Sequence, residues 1–406
     1  MKVVHLSGAG WGGGASIAMR RIHESLIELG IGSEIWLSST APLDPNVKSV
    51  GRGARFRGVV SREVSNVIVR SLTTENHALH SPSVFGSRLA AAVNQSDGDV
   101  VHLHWTQGEM LSIRDIKKIR KPIVWTLHDM WPFCGAEHHS SDARWSEGYL
   151  KSNRPDGEAG FDLNRWTWKR KKRSWTKPLQ LVAPSDWLAS CATTSDLFRD
   201  WPIEVVPHPI DVSSWQPVEK KIARRALGLS DDKPVLLASL YPSALDYWKG
   251  RDLLEDALRH IILRNPEVQL VFLGNSDAPV GDFFPAQTKH FAALSDVISR
   301  NLAYSAADAF VLTSRQEAFS LSAQEALSSG TPVIAFDNSG PTSFVKHKQS
   351  GYLASAFDVK DFVDGIAWAL SLRDKTSATA IHESIAQIHS STLIASRYAD
   401  IYGRVL

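Results

Sequence analysis

Glu317 and Glu325 flank a strand-to-helix turn in the run Thr313-Ser314-Arg315-Gln316-Glu317-Ala318-Phe319-Ser320-Leu321-Ser322-Ala323-Gln324-Glu325. Ala309 to Leu312 reads as a short buried strand, Leu321 to Ser329 as a helix stopped by Gly330, and Val333 to Phe336 as the next strand. One carboxylate then stands on the loop and the other lies one to two turns into the helix. Loops at the carboxyl ends of parallel strands are where open α/β sheets hold ligands, and a helix N-terminus there attracts phosphate. Two acceptor-only carboxylates at such an edge suit a ligand with several hydroxyls, a sugar or a ribose. The competing structural reading is a capping box between Ser322 and Glu325, with Glu317 an exposed loop acid.

Other segments carry possible chemistry of their own. Ser7-Gly8-Ala9-Gly10-Trp11-Gly12-Gly13-Gly14-Ala15 follows a strand and opens a helix, so its backbone can approach an anion or a sugar closely. It contains a literal G-x-G-x-x-G, but a nicotinamide site also needs an acid at the end of the second strand, and residues 36–39 offer none. His128 ends a strand in Trp125-Thr126-Leu127-His128-Asp129; there an imidazole can donate to a hydroxyl or take up a proton, unless Asp129 simply holds it as a buried ring. His138 and His139 lack a metal spacing and read as loop residues. Lys249, between the strand ending near Ser239 and the helix starting near Asp252, can hold a diphosphate as a point charge or lie solvated. Asp97-Gly98-Asp99 sits at the amino end of a strand, away from the ligand edge, and reads as a turn with no metal.

The elements around these residues alternate between strand and helix almost throughout. Val3 to Leu6, a helix from Ala15 to Leu29, Glu34 to Leu37, Val100 to His104, Ile123 to Leu127 and Leu179 to Pro184 form βαβ patterning and imply a parallel sheet covered on both faces. The proline-rich stretch from Val205 to Pro217 reads as a linker, after which the alternation restarts at Val235. A chain of 406 residues exceeds one ordinary core, so the expected organisation is one Rossmann-like domain over 1–212 and a second over 213–389. An amphipathic helix within 390–406 is expected to complete the first. A net charge of +2 provides no field for nucleic acid. Cys134 and Cys191 are too few for a disulfide framework or a four-ligand zinc site and fit a reducing cytoplasm as buried hydrophobes. The first strand begins at once, so no signal peptide is read, and no apolar run is long enough to span a membrane. Five consecutive bases, Lys169 to Arg173, interleave with Trp166, Trp168 and Trp175; the stretch 166–177 is either an anionic-membrane contact or a solvated basic helix with its tryptophans inward.

Taken together these segments resemble the retaining glycosyltransferases of family 4, of GT-B fold, which build bacterial polysaccharides. Glu317 to Glu325 with Gly330-Thr331-Pro332-Val333-Ile334 is similar to that family's E-x7-E signature and the strand after it; Gly12-Gly13-Gly14, His128-Asp129, Pro207-His208-Pro209, Lys249-Gly250 and Gly351-Tyr352-Leu353 match further family positions. The resemblance implies two Rossmann-like domains with parallel sheets facing a central cleft, and a nucleoside-diphosphate sugar as donor with no cofactor and no metal. It places Glu317 on the transferred sugar, Glu325 on the ribose, and the backbone of Phe319, Ser320 and Leu321 on sugar or diphosphate. Lys249 falls on the leaving nucleotide, and His128 near the reacting sugar and acceptor. The implied protein is cytoplasmic, or peripheral on the inner face of the membrane, and moves a hexose to a lipid-linked glycan in exopolysaccharide, capsule or O-antigen synthesis. Ser239 stands where the family commonly has an arginine, for which Arg251 or Arg315 is the expected substitute; Asn338-Ser339-Gly340 replaces paired glycines and Ser343 a glutamate. These departures, with the basic tryptophan-rich run, motivate the rival reading of a catalytically silent scaffold at the membrane; a nicotinamide oxidoreductase is a more distant alternative.

Overall fold

The computed structural model describes residues 1–38, 43–50, 55–242, 245–274, 288–291, 294, 296–373 and 377–406. Ser39 of the stretch read above for an acid, and residues 243–244 of the loop before Lys249, lie outside them. The chain forms two compact units, Met1–Pro209 with Ser391–Leu406, and Ile210–Ser390.

The first unit is built on a seven-stranded, all-parallel sheet. Its spatial order is Val47–Ser49, Gly32–Leu37, Lys2–Ser7, Val100–Leu103, Ile123–Thr126, Gln180–Ala183 and Ile203–Val205. Near-continuous Val, Ile and Leu in the central strands is what a sheet covered on both faces requires. Helix Ser391–Val405 returns to this unit and buries Ile394, Tyr398, Ile401 and Tyr402 against Val3, Ile22, Leu26, Val100 and Val124. Two of its hydroxyls also reach polar groups of the sheet, Tyr398 to Thr126 Oγ1 at 3.0 Å and Tyr402 to His102 Nδ1 at 2.7 Å.

The second unit has a six-stranded parallel sheet in the order Thr288–Phe291, Gln269–Leu273, Val235–Ser239, Ala309–Leu312, Val333–Phe336 and Gly351–Ala354. In each sheet the strand order reverses direction at one place: between Lys2–Ser7 and Val100–Leu103 in the first, and between Val235–Ser239 and Ala309–Leu312 in the second. At such a reversal the connections run to opposite faces of the sheet, and the carboxyl ends of the two strands beside it are the usual ligand position of an open α/β sheet.

Two expectations are sharpened by the fold. The proline-rich stretch holds the junction between the units at Pro209 and Ile210, but it is anchored, because Ile210 and Trp215 are buried in the core of the second unit and Ile210 N–H donates to the His389 carbonyl at 3.0 Å. Helix Leu163–Ser174 turns Trp168 inward and exposes Lys172 and Arg173, yet not all of its five bases are solvated. Lys171 has no exposed surface: its ammonium donates to the carbonyls of Trp131, Cys134 and Gly135 and sits 3.7 Å above the Trp131 ring. Arg170 donates to the carbonyls of Pro82 and Ser83, and Lys172 pairs with Asp196 at 2.8 Å. A cation inside carbonyl oxygens and over an aromatic face is compensated for its lost water, so it belongs to the fold. Asp97 and Asp99 are likewise structural: Asp97 pairs with Lys2 Nζ at 2.9 Å, and Asp99 accepts from the Lys2 amide at 2.7 Å. Both cysteines are free and buried.

Because helix Ser391–Val405 closes one face of the first sheet, Tyr398→Ala should destabilise the protein by about 3–5 kcal/mol, the usual range for deleting a buried aromatic ring. Urea unfolding measures it, and a loss under about 1 kcal/mol would remove the helix from the cooperative core.

Candidate active site

Lys249 and Glu317, 68 residues apart, are in direct contact in the second unit: Lys249 Nζ lies 2.7 Å from Glu317 Oε1. Their meeting is built into the backbone. Gly250 adopts φ 65°, and a Cβ there would overlap the Thr313 carbonyl oxygen, so only glycine lets the Lys249 turn come this close to the end of strand Ala309–Leu312. Thr313 Oγ1 then donates to the Lys249 carbonyl at 3.2 Å and the Arg315 amide to the Trp248 carbonyl at 2.8 Å. Ser314 Oγ donates to the same Glu317 oxygen at 2.8 Å, and the Tyr241 ring lies 4.8 Å from the ammonium. Burial works against the charge on Lys249, but the Glu317 carboxylate beside it holds the ammonium's pKa above its ordinary value. On the far side Gly340 N–H donates to the Glu317 carbonyl at 2.8 Å, and a Cβ at Gly340 would stand 2.6 Å from the Ala318 backbone.

Helix Leu321–Ser328 starts immediately after this acid. Its N-cap is Ser320, whose hydroxyl accepts from the Ala323 amide at 3.4 Å, so the capping box expected between Ser322 and Glu325 is not the device used. Ser320 has φ 81°, strained for a residue with a Cβ, and Phe319 beside it is anchored on Phe344 with ring centroids 4.8 Å apart. This pins the loop whose amides open the helix. Glu325 is wholly buried; Oε2 takes bonds from Arg300 and, at 3.4 Å, from Tyr304. Reaching a ribose would require it to exchange those donors. Ser239 ends its strand at the switch point, but neither expected substitute for the missing arginine is spare: Arg251 pairs with Glu255 at 2.9 Å, and Arg315 grips Asp252 through two bonds and donates to the Tyr247 carbonyl.

In the first unit Gly13 has φ 99°, Gly14 opens helix Gly14–Glu28, and a Cβ at Gly12, Gly13 or Gly14 would meet no atom within 4 Å. Packing inside the unit therefore does not demand these glycines, and the loop's backbone faces open space. His128 is half-buried past the end of strand Ile123–Thr126. Its partner is not Asp129: His128 Nε2 is 3.0 Å from His104 Nδ1. Asp129 instead binds His138 Nδ1 at 2.6 Å, Trp105 Nε1 at 3.1 Å and the Trp131 amide at 3.0 Å. Burial raises the Asp129 carboxyl, yet His138 and its other donors bring it below the ordinary range. His138, read from sequence as a loop residue, is thus a buried group that holds Asp129. Burial pushes the His128 ring down to about 4, with Asp129 opposing, so it is a neutral imidazole at neutral pH. Sequence reading also passed over His104 and His5; the alternation in Val101-His102-Leu103-His104 was the available signal, since period two puts 102 and 104 on one face.

Seven histidines, His5, His23, His80, His102, His104, His128 and His389, have pKa values lowered by burial. The unfolded chain takes up these protons at about pH 6.5 and the folded chain only at lower pH. Stability should therefore fall on acidification from pH 6.5, by roughly 1.4 kcal/mol per pH unit for each ring that stays neutral. Glu137, raised by burial to about 7, opposes with a single proton. Urea midpoints measured between pH 7 and pH 5, above the ordinary carboxylate range, should drop steeply; a flat profile contradicts the buried neutral rings.

The sequence matches Glycosyl transferases group 1 over residues 219–385 and Glycosyltransferase Family 4 over residues 12–214. The D-inositol 3-phosphate glycosyltransferase of Geodermatophilus obscurus is 26% identical over 400 residues, spanning 92% of this chain and 81% of that protein. The lipopolysaccharide core biosynthesis mannosyltransferase LpsB of Rhizobium meliloti is 26% identical over 225 residues, 52% of this chain and 62% of its own. Among solved structures, sucrose-phosphate synthase from Thermosynechococcus elongatus aligns with a TM-score of 0.69 at 18% identity, covering 100% of this chain and 99% of that one. HepE of Anabaena in complex with UDP-glucose aligns with a TM-score of 0.65 at 16% identity over 100% of both chains. These structural likenesses carry the fold, and the family match, which runs from residue 12 to residue 214, carries the membership: the chain belongs to glycosyltransferase family 4 and has its GT-B fold.

Proposed function

We propose that this glycosyltransferase moves a hexosyl group from a nucleoside-diphosphate sugar to a glycan acceptor, with retention at the anomeric carbon and without a requirement for a divalent metal. The observation that carries the reading is the Lys249–Glu317 pair at the switch point of the second sheet, beside the start of helix Leu321–Ser328. A diphosphate arriving there competes with Glu317 for the ammonium. Once Lys249 turns to the phosphates, the Glu317 carboxylate is released to accept from sugar hydroxyls. Charge grows on the departing diphosphate as the sugar–oxygen bond breaks, and a fixed ammonium together with helix-terminal amides at Phe319, Ser320 and Leu321 stabilises it there. His128, neutral and half-buried, is assigned to the hydroxyl that attacks. Glu325 is assigned to the ribose through exchange with Arg300, and Gly12 to Gly14 to phosphate or acceptor backbone contact.

The acceptor is proposed to be lipid-linked, as in exopolysaccharide, capsule or O-antigen assembly, with the protein working at the inner face of the membrane. Exposed Arg173 and Lys177 remain available for that surface, and a relative named as a lipopolysaccharide core mannosyltransferase supports the class. Among the described residues no helix is long and apolar enough to cross a membrane.

Calorimetry with UDP-glucose, UDP-galactose and GDP-mannose, followed by product mass, identifies the donor. Lys249→Ala and Glu317→Ala should then lower kcat by about 10²- to 10³-fold, and His128→Ala by about 10²-fold, with folding unchanged. Transfer that survives all three substitutions sinks the site assignment, and no binding of any nucleotide sugar favours the silent scaffold, a reading consistent with Arg251 and Arg315 being engaged elsewhere.

A further inference from the structure

Behind His128 runs an unbroken line of buried polar side chains that the proposed chemistry does not use. His128 Nε2 meets His104 Nδ1 at 3.0 Å, His104 Nε2 meets His5 Nδ1 at 2.9 Å, His5 Nε2 meets Ser33 Oγ at 3.0 Å, and Ser33 Oγ meets His23 Nδ1 at 2.7 Å. His5 is on strand Lys2–Ser7, His104 directly follows the adjacent strand Val100–Leu103, and His128 lies two residues past the next, Ile123–Thr126; Ser33 is on the strand at the other side of Lys2–Ser7, and His23 is on helix Gly14–Glu28. His5, His23, Ser33 and His104 are all buried, so His128 is the only mouth of the line with substantial exposure.

A neutral imidazole has one proton and one lone pair. Every ring-to-ring link here joins an Nε2 to an Nδ1. If one ring took the opposite tautomer to its neighbours, two protons or two lone pairs would face each other, at the cost of an unmade hydrogen bond at the buried His104–His5 link or the half-buried His128–His104 link. The tautomers of His128, His104 and His5 are therefore tied to one another. Two complete sets satisfy every link, all Nε2–H donating inward or all Nδ1–H donating outward, and the first consists of the Nε2–H tautomer that a neutral histidine intrinsically favours; in it Ser33 receives from His5 and donates to His23, and Nδ1 of His128 is left with its lone pair.

We propose that His104 and His5, closed by Ser33 and His23, are positioning residues that fix the proton of His128 on Nε2 and so present Nδ1 as the acceptor of a substrate hydroxyl's bond. The consequence for catalysis rests on the glycosyl-transfer reading; the tautomer assignment does not. The groups facing the line are Asp129 next to His128, the His208 ring stacked on it at 5.3 Å, and Tyr398 and Tyr402 from helix Ser391–Val405, which reach Thr126 and His102. Asp44 favours a charge at the His23 end, although burial outweighs it. A metal centre is the competing use of this cluster, since ring nitrogens of His5, His102 and His104 lie within 4.8 Å of one another. Hydrogen bonds already account for those nitrogens: His102 is taken at both by Thr126 and Tyr402, each at 2.7 Å, and His5 and His104 are taken by the line.

The test uses the full chain labelled with ¹⁵N-histidine. Long-range ¹H–¹⁵N spectra at pH 7.5 should show His128, assigned through His128→Gln, as a single neutral Nε2–H tautomer. His104→Phe removes the acceptor and should turn that signal into a tautomer mixture; His104→Asn, whose amide oxygen stands near the lost Nδ1, should restore it. If His104→Phe does not fold, His5→Phe and His5→Asn are read in the same way. Tyr402→Phe cuts only the His102 branch and should leave His128 unchanged. With a donor in hand, kcat should fall about 10²-fold in His104→Phe and recover most of that in His104→Asn, with KM for the donor within about twofold. An unaltered His128 signal in both Phe variants, an Nδ1–H tautomer in the wild type, or about one equivalent of zinc in the purified protein overturns the proposal. Should no nucleotide sugar support transfer, the spectra still decide it.

Discussion

A polar side chain buried between a sheet and its covering helices has lost water and must find its partner inside the protein, because an unpaired donor or acceptor there costs on the order of 1–3 kcal/mol and an unpaired charge more. Both sheets are parallel and covered on both faces, so this constraint acts on every polar residue the strands carry inward. It explains why Lys249 and Glu317 meet, why Glu325 takes Arg300 and Tyr304, why Asp129 takes His138, and why Lys171 sinks into a ring of carbonyls. The imidazole line is the same constraint carried through four links.

The consequence differs with position in the sheet. Deep in the interior, pairing is structural: Lys171 and Asp129 hold the loop from Trp131 to Gly135 that follows His128. At the carboxyl ends of the switch-point strands the pairs are half-covered, and a ligand with matching charge can exchange for one partner. Lys249 and Glu317 are of this second kind. Their contact is held by a glycine in a left-handed conformation and by two hydrogen bonds between the loops, so the groups stay in place when their bond to each other is broken. Preorganisation of this sort is what the proposed role requires, since a charge held in place meets a developing transition-state charge without a reorganisation cost.

Much of the architecture was legible in the residues alone. Apolar runs of strand length punctuated by glycine and separated by helical periodicity are local signals, and local signals predict α/β alternation and place Glu317, Lys249 and His128 after strands. What local readings missed was burial: Lys171 within the basic run 169–173 is wholly buried, the stretch 205–217 that joins the two units is anchored by Ile210 and Trp215, and His138, on a loop as expected, is buried against Asp129. Burial depends on what packs across the element, which no local signal carries.

By itself, then, the sequence determined the class of fold, the family and which residue types stand at the ligand edge, since these follow from periodicity and short motifs. Tertiary structure alone decided the partners. That Glu317 binds Lys249 across 68 positions, that Asp129 binds His138 in place of its neighbour His128, that Arg251 and Arg315 are already engaged, and that His104, His5, Ser33 and His23 align behind His128 are matters of strand order and register. Hydrogen bonds form over about 3 Å, and which groups come within that distance is set by how whole strands lie beside one another.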